Sequence, residues 1–409
     1  MTRAPDALPA AAARRARTMA AALAITSTVG FGVLFYAFGV LLAPMAADLG
    51  WENVTLSAGL STGLVVSGLV APLVGRVIDQ YGARGVMAVG SLVGGAGVLL
   101  WAAATHPAVY LAAWAVIGLG MAMSLYEPAF AAVARHAPAR HRQSVLAITL
   151  LGALASTIFI PVTDALAGAL GWRSALVVLA LGYVVTTLPL CLLGVPRRGE
   201  VVAADPAATL EHAEGSDAAG SDASPTLASS AVMRRFVLAM VLGKTATIAV
   251  GAHLVVFLVS TGTTAATAAA LAGGVGVAKV AGRLLVGLAA RRVAARHLAM
   301  ISFGLQAVAM ALSLVAPPGP ADVVMVILFG AGSGAITVIK PMYVVELFGT
   351  RGFGVTSGRA SRVVRLSDAY APVAIGALVT MTGSYTPAWA LLASACALGM
   401  FVLPRPGAV

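Results

Sequence analysis

A chain of 409 residues that is 60% hydrophobic, only 10% charged and of mean hydropathy +0.95 lacks the polar surface that a soluble domain must hydrate. Its apolar runs extend over about twenty positions, which excludes a membrane barrel of short strands alternating polar with apolar residues. The net charge of +11 lies mostly between those runs, so it marks membrane topology rather than a nucleic-acid face.

A helix rises about 1.5 Å per residue, so about 20 apolar residues cross a hydrocarbon core of about 30 Å. In chain order, spans are predicted at 19–46, 56–78, 85–104, 108–133, 143–169, 174–195, 233–259, 265–289, 297–316, 322–347, 353–381 and 385–404. Residues 1–18 and 405–409 are predicted tails. Arg14, Arg15 and Arg17 precede a first run longer than a signal-peptide core, so it reads as a span and not as a cleaved leader. The segment 196–232, rich in Ala, Ser, Asp and Glu, is expected to be a disordered linker. The fold class is therefore all-α integral membrane, with twelve transmembrane helices in two six-helix halves, 19–195 and 233–404. Cys191 and Cys396 fall inside apolar runs and read as small hydrophobes. No zinc-ligand spacing, nucleotide loop or nucleophile motif occurs, so neither an enzyme nor a cofactor is expected.

Arginine placement sets the orientation. The N-terminus, the even-to-odd links and the C-terminus hold nearly all the inter-span arginines, from Arg3 to Arg405, whereas the opposite side holds only Arg173. By the positive-inside rule both termini are expected in the cytoplasm, with the chain multi-pass in a bacterial cytoplasmic membrane. A faint repeat links the halves. The second span ends in Gly75-Arg76-Val77-Ile78-Asp79-Gln80-Tyr81-Gly82-Ala83-Arg84, and the eighth in Gly287-Leu288-Ala289-Ala290-Arg291-Arg292. The fourth span carries Tyr126-Glu127-Pro128 and the tenth Ile339-Lys340-Pro341.

The segment from Gly75 to Arg84 resembles the loop 2–3 signature of the major facilitator superfamily. In it Gly75 permits close helix contact, Asp79 accepts bonds from a neighbouring helix N-terminus, and Gly82 turns the loop. The second copy departs from the signature, with Arg291 in place of an acid. Within the superfamily the chain is similar to bacterial transporters of the monocarboxylate and oxalate/formate group. The likeness rests on Phe38-Gly39-Val40 and Pro44, Gly171-Trp172-Arg173, Glu346-Leu347-Phe348-Gly349, Gly352-Phe353-Gly354 and Gly383-Ser384-Tyr385. The resemblance implies a carboxylate-binding arginine four residues before a glycine of helix 8; Arg283 and Gly287 match it. One turn earlier the group has an aspartate, and this chain has Lys279.

Ionisable residues inside spans are costly and are functional candidates by default. Lys279 and Arg283 share a helix face at i,i+4 spacing and suit an anion, the arginine as a planar fork and the lysine as a point charge. Tyr36 and Tyr126 are candidate hydroxyl donors in the same substrate site. Glu127 and Lys340, each before a proline that removes a backbone hydrogen bond, are expected to meet as a gate between the halves and to sit at bends. Asp368, expected to pair with Arg365 on its own helix, and His253 are the candidate proton carriers. Lys244 is expected either to snorkel or to add positive charge to the cavity. The expected function is secondary transport of small organic anions, mono- or dicarboxylates, by proton symport or anion exchange. The rival is a proton-driven exporter of drug-like or amphipathic compounds. The expected partners are the anion, protons or a counter-anion, and lipid, with no nucleic acid; the expected working unit is a monomer.

Overall fold

The computed structural model describes residues 10–200, 227–290, 292–315, 319–350 and 353–405, and all regular structure among them is helical. The chain forms two compact units, one of Met1–Ala223 with Phe348–Arg359 and the other of Ser224–Leu347 with Ala360–Val409.

In the first unit α1 (Ala10–Phe31) passes through a π-helical turn, Gly32–Tyr36, into α2 (Ala37–Leu49). The predicted first span is thus one helical path with a widened turn, where Gly32 lies flat against the Phe159 ring. Next come α3 (Asn53–Tyr81), α4 (Ala83–Ala103), α5 (Pro107–Ser124) and α6 (Tyr126–His136), then α7 (His141–Ala153), α8 (Ala155–Leu170) and α9 (Trp172–Gly194). The predicted fourth span is broken at Leu125 rather than merely bent. Pro128 has no N–H for the Ser124 carbonyl; separately, the Ser124 hydroxyl donates to the Gly120 carbonyl and lies 2.9 Å from the Tyr183 hydroxyl. The fifth span is also interrupted, at Leu154, which makes an i→i+3 bond to Leu151. The core of this unit is aromatic. Trp114 packs against Phe38 and Trp101 at ring separations of 5.4 and 5.0 Å. Two polar edges in this core are satisfied, Trp101 by the Met45 sulfur and Tyr110 by the Leu56 carbonyl, while the Trp114 indole N–H has no hydrogen-bond partner among the described residues. Arg173 ties three helices together: its guanidinium donates to the carbonyls of Ala102 and Ala104, lies 3.6 Å from Asp48 and covers the Trp172 ring.

The second unit holds α10 (Leu227–Ser260), α11 (Ala265–Ala289), α12 (Ala295–Val315), α13 (Pro320–Phe348), most of α14 (Phe353–Thr382) and α15 (Thr386–Val402). Residues 227–232, expected in the linker, are the first turns of α10, and 201–226 lie outside the described residues. Arg234 and Arg235 are exposed in this part of α10, and Arg235 donates to the Val402 carbonyl. Unlike the fourth span, α13 runs through Pro341 without interruption. Phe257 stacks on Trp389 at 4.6 Å in the core of this unit.

Among the described residues, ten helical stretches are long and apolar enough to cross a membrane. They coincide with the first ten predicted spans. The last two predicted spans correspond to α14, which carries Arg359, Arg362, Arg365 and Asp368, and to α15, which has 17 residues.

Close helix approach in both units uses glycine, as expected where packing rather than the hydrophobic effect joins helices in lipid. A Cβ on Gly75 of α3 would lie 2.0 Å from the Gly354 carbonyl oxygen of α14. Gly75→Ala is therefore expected to force α3 from the start of α14 and to cost about 1–3 kcal/mol by overpacking. Thermal unfolding of the purified protein checks this, with Gly85→Ala as the control. Gly85 has open space around it, so that change is expected to leave the midpoint unchanged or slightly raised.

Candidate functional site

The loop after α3 is built around one carboxylate. Asp79 accepts the backbone N–H of Gly354 at 3.0 Å on Oδ1 and that of Val355 at 2.8 Å on Oδ2. These are the second and third residues of α14, whose first N–H groups lack partners within the helix and carry its positive dipole end. Arg135 of α6 donates to the Asp79 carbonyl at 3.0 Å. Gly82 turns the chain at φ 89° and ψ 158°, a conformation open essentially to glycine alone, and lets α4 start with Arg84 half-buried in its first turn. Further along the same face, Ser357 of α14 donates to Glu127 Oε2 at 2.7 Å, and the Phe353 ring packs on His141. Ser357 carries no sequence signal beyond its place one turn past a helix start.

The two tyrosines lie at special backbone positions. Tyr36 closes the π turn, half-buried, with its ring on Phe35. Tyr126 opens α6 immediately after the break, between Phe31 at 4.6 Å and Phe130 at 5.3 Å, with its hydroxyl over Gly152 of α7.

In the second unit, glycine packing positions the cations. Gly330 and Gly334 of α13 form a GxxxG pair against α11. A Cβ on Gly334 would meet the Lys279 carbonyl at 2.2 Å, and one on Gly282 would meet the Ala331 carbonyl at 2.1 Å. The backbone of Lys279 is thus clamped while its side chain and that of Arg283 remain half-buried. Lys279 is within electrostatic reach of both Arg283 and Lys244, like charges. No hydrogen bond or ion pair of its own ammonium is seen among the described residues.

Asp368 pairs with Lys244 of α10, Nζ to Oδ2 at 3.0 Å, rather than with Arg365 of its own helix as expected. The Lys244 side chain crosses from a neighbouring helix, which spacing along α14 alone does not reveal. Lys244 is correspondingly an ion-paired residue and not a snorkelling one. Lys340 of α13 donates to the buried Ser361 hydroxyl at 2.6 Å. His253 Nδ1 lies 3.3 Å from the Tyr385 hydroxyl, and Tyr385 packs on Phe257 and Trp389. Where the second sequence copy lacks its acid, Glu346 of α13 supplies one: Oε2 accepts the N–H of Ala295 at 2.9 Å, at the start of α12. Arg291 itself lies outside the described residues.

The sequence profile of the Major Facilitator Superfamily matches residues 22–372. The chain belongs to that superfamily. It is 26% identical to monocarboxylate transporter 13 of Rattus norvegicus over 385 residues, covering 93% of this chain and 85% of that protein. Its fold matches the crystal structure of the human organic anion transporter MFSD10 with a TM-score of 0.70 and 18% identity, over 96% of this chain and 99% of that one. It also matches the proton:xylose symporter XylE with a TM-score of 0.76 and 12% identity, over 96% of each chain. At such identities these two structures establish the fold and no more. As a superfamily member the protein is a multi-pass membrane protein and a secondary-active transporter working by alternating access, not an enzyme.

The contact of Asp79 with α14 yields a direct test. Asp79→Ala is expected to strand two N–H groups and cost about 1–3 kcal/mol, whereas Asp79→Asn, which keeps an acceptor, is expected to lose less. Thermal melts of the two variants should rank in that order below wild type.

Proposed function

We propose that this transporter carries small organic anions, mono- or dicarboxylates, across a bacterial cytoplasmic membrane, by proton symport or anion exchange. The observation that carries the reading is the charge of the polar cluster in the second unit. Asp368 is engaged by Lys244, while Lys279, with no hydrogen bond or ion pair among the described residues, is within reach of two like charges, Arg283 and Lys244. Positive charge gathered among apolar helices is expensive unless an anion offsets it, and a transported carboxylate would do so. Arg283 would grip the carboxylate through its fork and Lys279 would add a point charge. Tyr36 and Tyr126 are proposed hydroxyl donors to the same solute. Glu127 and Lys340 are proposed gating residues, with Asp368 and His253 in coupling. The Gly75-Asp79-Gly82-Arg84 segment is proposed to latch and release with conformational state, because its bonds hold a helix start. Twelve spans, both termini in the cytoplasm and a monomeric working unit complete the proposal.

Further support is that one relative is named a monocarboxylate transporter and one structural match an organic anion transporter. An exporter of cationic drug-like compounds fits less well, because such solutes would be repelled by the surplus cations.

The test is uptake of labelled L-lactate and oxalate by the purified protein in liposomes, with and without a pH gradient, beside calorimetric affinities. Arg283→Lys keeps the charge and loses the fork, so carboxylate affinity is expected to fall about tenfold or more, and Arg283→Ala further. Wild-type affinity in Arg283→Lys would remove the fork from the account.

A further inference from the structure

Past its first turn α12 has no charged residue, yet it holds a glutamine, Gln306, that is 0% exposed. A buried amide among apolar helices is costly unless its bonds are made. Gln306 makes them in two directions. Its Oε1 accepts the Thr247 hydroxyl of α10 at 3.0 Å, and its Nε2 donates to the Ser302 carbonyl at 3.3 Å. The Ser302 hydroxyl in turn donates to the Gly332 carbonyl of α13. Glycine closes the same two interfaces. A Cβ on Gly243 of α10 would lie 2.0 Å from the Phe303 ring, and one on Gly332 would lie 2.6 Å from the Ser302 carbonyl oxygen. These contacts bracket the cations. Lys244 stands between Gly243 and Thr247, and Gly332 stands between Gly330 and Gly334, which seat α11 at Lys279. The succession α10, α12, α13, α11 therefore sets how far the backbone at Lys244 lies from that at Lys279. Apolar packing alone would let α10 slide or turn on α12. A buried hydrogen bond admits one register, since any other leaves the amide oxygen unpaired.

We propose that Gln306 is a positioning residue of the anion site: by fixing α10 against α12 it sets the separation of Lys244 and Lys279, and with it the length of carboxylate that the site accepts. The proposal rests on the organic-anion reading and names what sets its size selectivity. Cations rooted on separate helices hold an anion well only when its span matches theirs. With the helices fixed, a solute too long or too short must give up one contact. With α10 released, the helices adapt to each solute, so tolerance is gained and discrimination lost. Lys244 keeps its pair with Asp368 in this arrangement, so Gln306 governs where that pair stands and not its charge.

The experiment is calorimetric titration of the purified full-length protein with two series of probes, straight-chain monocarboxylates from acetate to hexanoate and dicarboxylates from oxalate to glutarate. In the series that binds, wild type is expected to favour one length by about tenfold over members two carbons longer or shorter. Gln306→Met keeps the volume and loses both bonds, and is expected to narrow that ratio to about threefold or less. Thr247→Val, which removes the donor, is expected to flatten the profile likewise, and Thr247→Ser, which keeps it, to preserve the profile. Cys396→Ala opens a cavity in the core of the same unit, on α15 and outside this succession of contacts. It is expected to melt earlier with wild-type selectivity, which separates positioning from stability. A wild-type length profile in Gln306→Met, or an equal flattening in Cys396→Ala, would overturn the proposal and leave the anion reading intact. If Gln306→Met does not fold, Thr247→Val decides in the same way. A wild type that binds every length alike would also overturn it. Absence of binding by every member of both series would overturn the anion reading itself, and this inference with it.

Discussion

Positive charge held among apolar helices is the constraint around which the second unit is organised. In water the ammonium groups of Lys244 and Lys279 would cost nothing to keep. Inside a hydrocarbon slab each must find an anion, water or another polar group. The protein meets this demand for Lys244 with Asp368 from α14, a 3.0 Å pair. For Lys279 it leaves a half-buried ammonium beside like charges. An arrangement of that kind is costly as structure alone, since a leucine at the same place would pack more cheaply, and the proposed anionic solute would offset that cost.

Glycine makes the arrangement possible. The Gly330–Gly334 pair of α13 lets α11 approach until backbone touches backbone, which sets where along α11 the side chains of Lys279 and Arg283 emerge. The first unit uses the same device at Gly75 and Gly354, and there the close approach brings the Asp79 carboxylate onto two free N–H groups of α14. In both units a contact with no side chain on one partner places a charge on the other. A carrier that must alternate between states needs contacts of this kind, firm in one arrangement and made of few bonds.

Helix positions were legible in the sequence because hydrocarbon thickness demands long apolar runs, and little else produces them. The Asp79 contact was legible through the resemblance of Gly75–Arg84 to the superfamily's loop signature, which implies a carboxylate at a neighbouring helix start. The breaks at Leu125 and Leu154 and the π turn ending in Tyr36 were not, because they depend on how neighbouring helices relieve a missing N–H or a crowded ring. The Lys244–Asp368 pair was likewise hidden, since residues 124 apart in sequence meet only through helix packing. The Ser357 and Ser361 hydroxyls are not legible as partners of charged groups, because serine in an apolar helix usually bonds its own backbone, as Ser367 does.

The sign of the charge that the site accepts tests the account most directly. Propionate, propionamide and propylamine are close in size and shape but negative, neutral and positive. Thermal stabilisation of the purified protein by each, in wild type and in Lys279→Gln, isolates charge from fit. The account predicts that propionate alone stabilises wild type, and that Lys279→Gln loses most of that stabilisation. Stabilisation by propylamine equal to or above that by propionate, unaffected by Lys279→Gln, would contradict it.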